Sequence, residues 1–183
     1  MHPGLAALFE ADRQDHEAPK VAGTPGYAEM RRRDADRRAR AAAILRDEGP
    51  GAPIDWYHAA WLFHHGDSPE EAEAASRLAA RAMDAGHAPA RWLHAAATDR
   101  GLMSNGLPQR FGTQIVPDGR RYRVWDTDPS TTDEERAALD VPPLAEQHRR
   151  ADEQTASCPQ PPMDLAPAWL KDAIARWEGS GRA

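Results

Sequence analysis

Residues 54–106 read IDWYHAAWLFHHGDSPEEAEAASRLAARAMDAGHAPARWLHAAATDRGLMSNG, and three helices can be read there from their end signals. The first runs from about Ile54 to His65. It carries Trp56, Tyr57, Ala60, Trp61 and Phe63 on nearly every side, so a central position is expected. Gly66 stops it. Ser68-Pro69-Glu70-Glu71 then supplies a hydroxyl cap, a proline at the first helical position and a glutamate placed to close a capping box. The second helix reaches Ala85 and ends at Gly86. The third spans about Pro89 to Ser104, with Trp92, Leu93, Ala96 and Leu102, and stops at Asn105-Gly106.

Upstream, Leu5, Leu8 and Phe9 form a short apolar-periodic piece within an N-terminal arm, residues 1–26, that Gly23-Thr24-Pro25-Gly26 terminates. A long helix is expected from about Tyr27 to Asp47, with Tyr27, Met30, Ala41, Ile44 and Leu45 on its apolar side and charge between them. Downstream, Arg110–Val116 and Arg120–Asp126 read as strands joined by Pro117-Asp118-Gly119. Phe111, Thr113 and Ile115 would share one face, and Gly112, Gln114 and Val116 the other. Ser130-Thr131-Thr132-Asp133-Glu134-Glu135 caps a short helix ending near Leu139, and another covers Leu144 to Gln154. Residues 155–165, rich in proline and small polar groups, read as a linker. An amphipathic helix, 166–178, follows with Trp169, Leu170, Ile174 and Trp177; it packs back on the body or docks a partner. The expected fold is mainly α: a bundle of five to six helices over residues 27–154, with one small β-hairpin near 110–126.

Composition narrows the function. The 183 residues suit one domain, and 40% apolar content with six Trp supports one modest core. A net charge of −6 argues against nucleic acid. The run Arg31-Arg32-Arg33 is followed at once by Asp34 and Asp36, which reads as a solvated helix face. The single cysteine, Cys158, excludes an internal disulfide and fits a reducing compartment. No apolar run approaches the roughly 18 residues a membrane span needs, and Met1-His2-Pro3-Gly4 lacks the marks of a signal peptide. A cytoplasmic, soluble protein is expected. Only Lys20 and Lys171 are lysine among the 23 basic residues, a bias of GC-rich bacterial coding that makes a lysine Schiff base a poor expectation.

Four polar segments stand out: His64-His65-Gly66-Asp67, Asp99-Arg100, Asn105 with Gln109, and Gly112-Thr113-Gln114. His58, Trp61 and His65 share a helix face. Ser68 already takes the helix cap, so the Asp67 carboxylate is free for other work. A histidine near carboxylates serves as a general base, and an arginine beside it fixes a carboxylate or phosphate. The expected catalytic residues are therefore His65, Asp67 and Asp99; the expected substrate-binding residues are Arg100, Gln109, Thr113, Gln114 and His64. Structural roles compete: a solvated helix end for His64, an ion pair for Asp99-Arg100, a cross-strand bond for Gln114. A metal shared by His64, His65, Asp67 and Asp99 is disfavoured, because adjacent side chains on a helix point about 100° apart. Neither a metal nor a cofactor is expected.

The helix pair around Ala82, Gly86, His87, Ala88, Ala90 and Leu93 resembles a single tetratricopeptide or Sel1-like unit, though a solenoid needs about three. More specifically, Phe63 to Glu70, Trp92-Leu93 through Asp99-Arg100, and Gly106-Leu107-Pro108-Gln109-Arg110-Phe111-Gly112-Thr113-Gln114 resemble the bacterial domain-of-unknown-function family numbered 6624. Asp133-Glu134-Glu135-Arg136 and Val141-Pro142-Pro143-Leu144 match its downstream piece, Asp36-Arg37-Arg38 its first helix more loosely. His64 stands where that family has Gln. The resemblance, over about residues 27–150, implies that the polar groups belong together and supplies no reaction. The leading expectation is a small enzyme that hydrolyses, cyclises or eliminates a small molecule or peptide without a cofactor, in specialised metabolism. The alternative is a non-catalytic helical adaptor. The sequence leaves open a homodimer and a partner on the C-terminal helix.

Overall fold

The structure, a computed structural model, describes residues 1–17 and 20–180. It is mainly helical. In chain order it comprises α1 (Pro3–His16), α2 (Pro25–Asp47), α3 (Pro53–His64), α4 (Pro69–Asp84), α5 (Ala90–Ser104), β1 (Ile115–Pro117), β2 (Tyr122–Val124), α6 (Asp133–Ala138), α7 (Leu144–Ser157), a 3-10 turn (Met163–Leu165) and α8 (Ala168–Ser180). Eight α-helices are thus present among the described residues, where five to six were expected. No helix among those residues is long and apolar enough to cross a membrane.

The central layer is α3, α4 and α5, with α4 packed against both of the others. Its buried residues are mostly alanine: Ala59, Ala60, Ala72, Ala75, Ala79, Ala82, Ala95, Ala96 and Ala97. Small side chains let the helices lie close. The Ser68–Glu71 capping box forms as the sequence indicates, with Ser68 Oγ accepting from Glu71 N. At the start of α3, the buried Asp55 carboxylate accepts from the backbone N–H groups of His2, Gly51 and Ala52.

The N-terminal arm contains a full helix, Pro3–His16, where a short apolar piece was expected. Leu5 is fully buried and, with Leu8, packs against Ala41, Ala59 and Leu62. The sequence 23–26 starts a helix rather than only breaking one: Thr24 caps α2 by accepting from Tyr27 N, with Pro25 at the first helical position.

The hairpin is shorter than its hydrophobic alternation predicted. Only Ile115–Pro117 pairs with Tyr122–Val124, in antiparallel register Ile115↔Val124, Val116↔Arg123 and Pro117↔Tyr122. Residues 110–114 are not strand, so the two-face assignment fails there. Their amides are claimed by Asp99, described below, and Gly112 sits at φ 84°, in the left-handed region that favours glycine. The outer edge of β2 is covered by α7: Tyr122 N donates to Thr155 Oγ1, and Thr155 Oγ1 donates on to backbone carbonyls. Helix α7 therefore runs to Ser157, into the stretch read as linker.

The C-terminal helix packs back on the body. Leu170 and Ala173 join Met103, Val116 and Trp125 in a buried cluster, and Trp169 and Trp177 meet the Trp125 ring edge-on. Trp177 Nε1 donates to Asp126. Truncating Leu170 to Ala should cost about 2–4 kcal/mol in urea-unfolding stability, because a buried Leu leaves a cavity behind. A loss below about 0.5 kcal/mol would show that α8 is only loosely docked.

Candidate functional site

The structure divides the eight sequence-predicted residues into two groups on opposite sides of α5. Asp99 and Arg100 are successive residues, so their side chains leave the helix about 100° apart. Asp99 turns toward the 109–114 segment, and Arg100 toward the end of α3.

Asp99, Gln109, Thr113 and Gln114 form a closed hydrogen-bonded junction. The fully buried Asp99 carboxylate accepts from Arg110 N (2.8 Å), Phe111 N (3.0 Å), Thr113 N (3.0 Å) and Thr113 Oγ1 (2.8 Å). Burial pushes its carboxyl above the usual range, and these same bonds offset that rise only in part. Gln109, also fully buried, accepts from Gln114 N and donates to the carbonyls of Gln114 and Trp125. Gln114 Nε2 donates to Ala96 O, 3.0 Å away on α5. Arg136 closes the outside by donating to the carbonyls of Phe111 and Thr131. Every functional-looking group here has a partner within the fold. Asp99 is thus placed to orient a loop, and its bonds lead away from His65.

The second group lies where α1, α2 and the end of α3 meet. His65 Nδ1 is 2.8 Å from Asp12 Oδ2, and Asp12 is 1% exposed. The His16 ring stacks on His65 with centroids 4.1 Å apart and planes 25° apart. His16 Nε2 lies 3.4 Å from Asp34. Neither His65 Nε2 nor His16 Nδ1 has a hydrogen-bond partner among the described residues, and both side chains are partly exposed.

Guanidinium groups from α2 surround these side chains. Arg37 donates to Asp34 (2.5 Å) and Asp15 (2.8 Å), and its Nε lies 3.4 Å from Asp12 Oδ1 without forming a hydrogen bond. Arg31 donates to Asp34 Oδ2 (2.7 Å), to His65 O (2.7 Å) and to Asp67. Asp67 is therefore engaged, though exposed. Arg38 Nε donates to Glu71 (2.6 Å), the same carboxylate that caps α4. Burial pushes the Asp34 carboxyl up, but the bonds from His16 and Arg37 outweigh it and hold the group below its ordinary value.

His64 and Arg100 adjoin this cluster. His64 is buried with Nδ1 unpartnered; burial first, then the nearby Arg100 and His65, lower its pKa well below the usual imidazole value. Arg100 has no hydrogen bond or ion pair among the described residues, and its Nε is enclosed. Burial and the neighbouring Arg31 lower its pKa, while Asp67 and Tyr27 act the other way. Two clefts lie elsewhere, one of about 630 Å³ beside Arg123 and Trp177 and one of about 410 Å³ between α4 and α5 near Ser76 and Thr98.

Of the sequence-predicted residues, the structure brings His64, His65, Asp67 and Arg100 to one region; Asp12, His16, Arg31, Asp34, Arg37 and Arg38, which the sequence reading did not single out, lie there too. A signal existed in α2. Met30, Asp34, Arg37, Arg38 and Ala41 are its buried residues, and they follow helical spacing. The charges occupy the apolar stripe itself, so Arg31-Arg32-Arg33 is not one solvated face. Arg32 alone of the three bonds only to surface partners on its own helix, Glu29 and Asp36.

Two outcomes follow for stability. Asp99→Ala should destabilise the fold by about 3 kcal/mol or more, since it leaves several buried donors unpaired; urea unfolding at pH 7 measures this. For His64, the folded pKa is depressed, so its contribution is fully present above the unfolded value near 6.5 and is lost as pH falls below it. Between pH 7 and 5 stability should therefore fall, and His64→Gln should reduce that slope by up to about 1.4 kcal/mol per pH unit. Identical slopes in the two proteins would refute this.

No family model, curated protein or solved structure matches this chain.

Proposed function

We propose that the protein is a small enzyme performing acid–base chemistry, hydrolysis in the first instance, on an anionic small molecule or peptide at the junction of α1, α2 and α3. The observation that carries this reading is Arg100: an arginine beside His64 at the end of α3, with its Nε enclosed and no partner among the described residues. Structural arginines in this protein, such as Arg37 and Arg136, are matched to carboxylates or carbonyls. An unmatched guanidinium fits a carboxylate or phosphate that arrives with a ligand.

The catalytic role falls to His65. Asp12, rather than the expected Asp67 or Asp99, orients the ring from behind through Nδ1, which leaves Nε2 to take or give a proton. Arg31, bound to His65 O, ties ring position to the charge cluster. His64 replaces a polar Gln of the resembled family with a neutral imidazole facing Arg100, so that ion keeps its unpaired character. Membership of that family is part of the same proposal and rests on the motifs alone.

The adaptor reading draws on a different observation. Asp99, Gln109 and Gln114 are buried and mutually satisfied, as structural glue would be. In that case the residues carried over from the family motif serve to hold a helical platform, and the half-exposed Trp92 and Leu107 mark its contact face.

A panel of p-nitrophenyl acetate, p-nitrophenyl phosphate and amino-acid p-nitroanilides separates the two. The enzyme reading expects turnover of at least one. His65→Gln should then lower kcat/KM by about 100-fold or more with an unchanged circular dichroism spectrum, and Arg100→Lys should act mainly on KM. Turnover that survives His65→Gln would end the assignment of His65.

A further inference from the structure

We infer that Asp12, His16 and His65 form a site for one divalent transition-metal ion of the zinc class. The inference rests on the site proposed above and changes one role in it: with the ion bound, His65 and Asp12 are ligands and the ion's water, not the His65 ring, carries the proton chemistry. One donor atom from each of the three residues lies within 4.8 Å of the others. Two imidazoles and a carboxylate are ligand types that zinc and its neighbours accept, and three protein ligands leave a position open for water or substrate.

The chain supplies this set from two elements. Asp12 and His16 are four residues apart on α1 and so share a face, while His65 caps α3. The argument against His64 and His65 sharing an ion is unaffected: their ring centroids are 6.0 Å apart, and His64 faces Arg100 instead. The partner that the sequence hid is His16, stacked on His65.

Three further features point to an ion. Asp12 Oδ1 is buried and accepts no hydrogen bond, an anomaly in a fold that otherwise satisfies its buried carboxylates. Arg37 Nε, 3.4 Å away, ion-pairs with this oxygen without hydrogen-bonding it, and its two terminal nitrogens are committed to Asp15 and Asp34, so the lone pairs of Oδ1 remain open to an ion. Asp34 stands behind His16 as a carboxylate behind a ligating imidazole does, fixing the ring and raising its basicity. The free ring nitrogens of His16 and His65 are on partly exposed side chains, so an ion has an approach from solvent. Ligand distances of about 2.0–2.2 Å from zinc require the three donors to close in from their present spacing. The imidazole lone pairs lie in the ring planes, so the two stacked rings must also turn about their side-chain torsions to face one ion. The ion would present a water of lowered pKa at the same place where Arg31 and Arg100 favour an anion.

Cobalt(II) titration of the untagged, chelator-dialysed chain tests this without any substrate. We expect one equivalent to bind with visible d–d absorption of a site with nitrogen and oxygen ligands, and Zn²⁺ to displace it. His16→Ala should weaken binding on the order of 100-fold, and Asp34→Asn about tenfold or more, with the fold checked by circular dichroism. Absence of cobalt binding by the wild-type chain, or binding unchanged in His16→Ala, overturns the inference. The acid–base proposal is judged separately by the p-nitrophenyl assay in excess chelator: metal-free turnover that requires His65 would leave that proposal standing whatever the titration shows.

Discussion

A carboxylate buried away from water must find donors, and in this protein that constraint joins the two halves of the chain. Asp99 lies in the last turns of α5, at the edge of the alanine-rich layer. Its four donors come from the segment that follows, between Arg110 and Thr113. The constraint explains why the hairpin begins only at Ile115, why Gly112 has a positive φ, and why Gln109 and Gln114 turn inward. Once the loop is fixed, Phe111 is seated against Ala95 and Val141, and Trp125 is presented to α8. The non-helical third of the molecule is arranged around one ionisable group.

The same rule acts differently at the other side of α5. There several carboxylates and guanidiniums share a partly buried space, and not all are matched. Asp34 is supplied with donors from three side chains, whereas Asp12 Oδ1 and Arg100 are left over. Buried pairs of this type add little net stability, because desolvation offsets attraction. Their retention in place of an apolar stripe is what directs functional interest to this side of the molecule rather than to the satisfied junction around Asp99.

Much of the helical architecture was legible from local chemistry. Ser68-Pro69 with Glu71, the stops at Gly66 and Gly86, and Thr132 with Glu135 mark ends that the structure reproduces within a residue or two. Such signals act over one turn, so a sequence displays them directly. Helix α1 was less legible because Leu5 and Leu8 make too short an apolar pattern, and Asp12 and His16 continue that stripe with polar groups. The grouping of the polar residues was less legible for a related reason. Asp99 and Gln114 looked reactive because polar residues in a motif carry the same letters whether they serve a ligand or a loop. What distinguishes them is whether their bonds are already made, and that depends on contacts distant in sequence, such as Asp12 with His65.

The alanine interface among α3, α4 and α5 has a consequence for how this protein can vary. Alanine has almost no rotamer freedom to lose on folding, so this layer orders at small entropic expense. It also holds little side-chain volume to remove. Most cores suffer chiefly from truncation; this one is exposed to the opposite hazard, since added methylenes at Ala60, Ala79 or Ala96 have nowhere to go without spreading the helices. Spreading α5 would displace both faces of that helix together, the loop anchored by Asp99 and the charged cluster beside Arg100. Drift in the layer is therefore confined to its outer surface, and its inner face is held to the smallest side chains available.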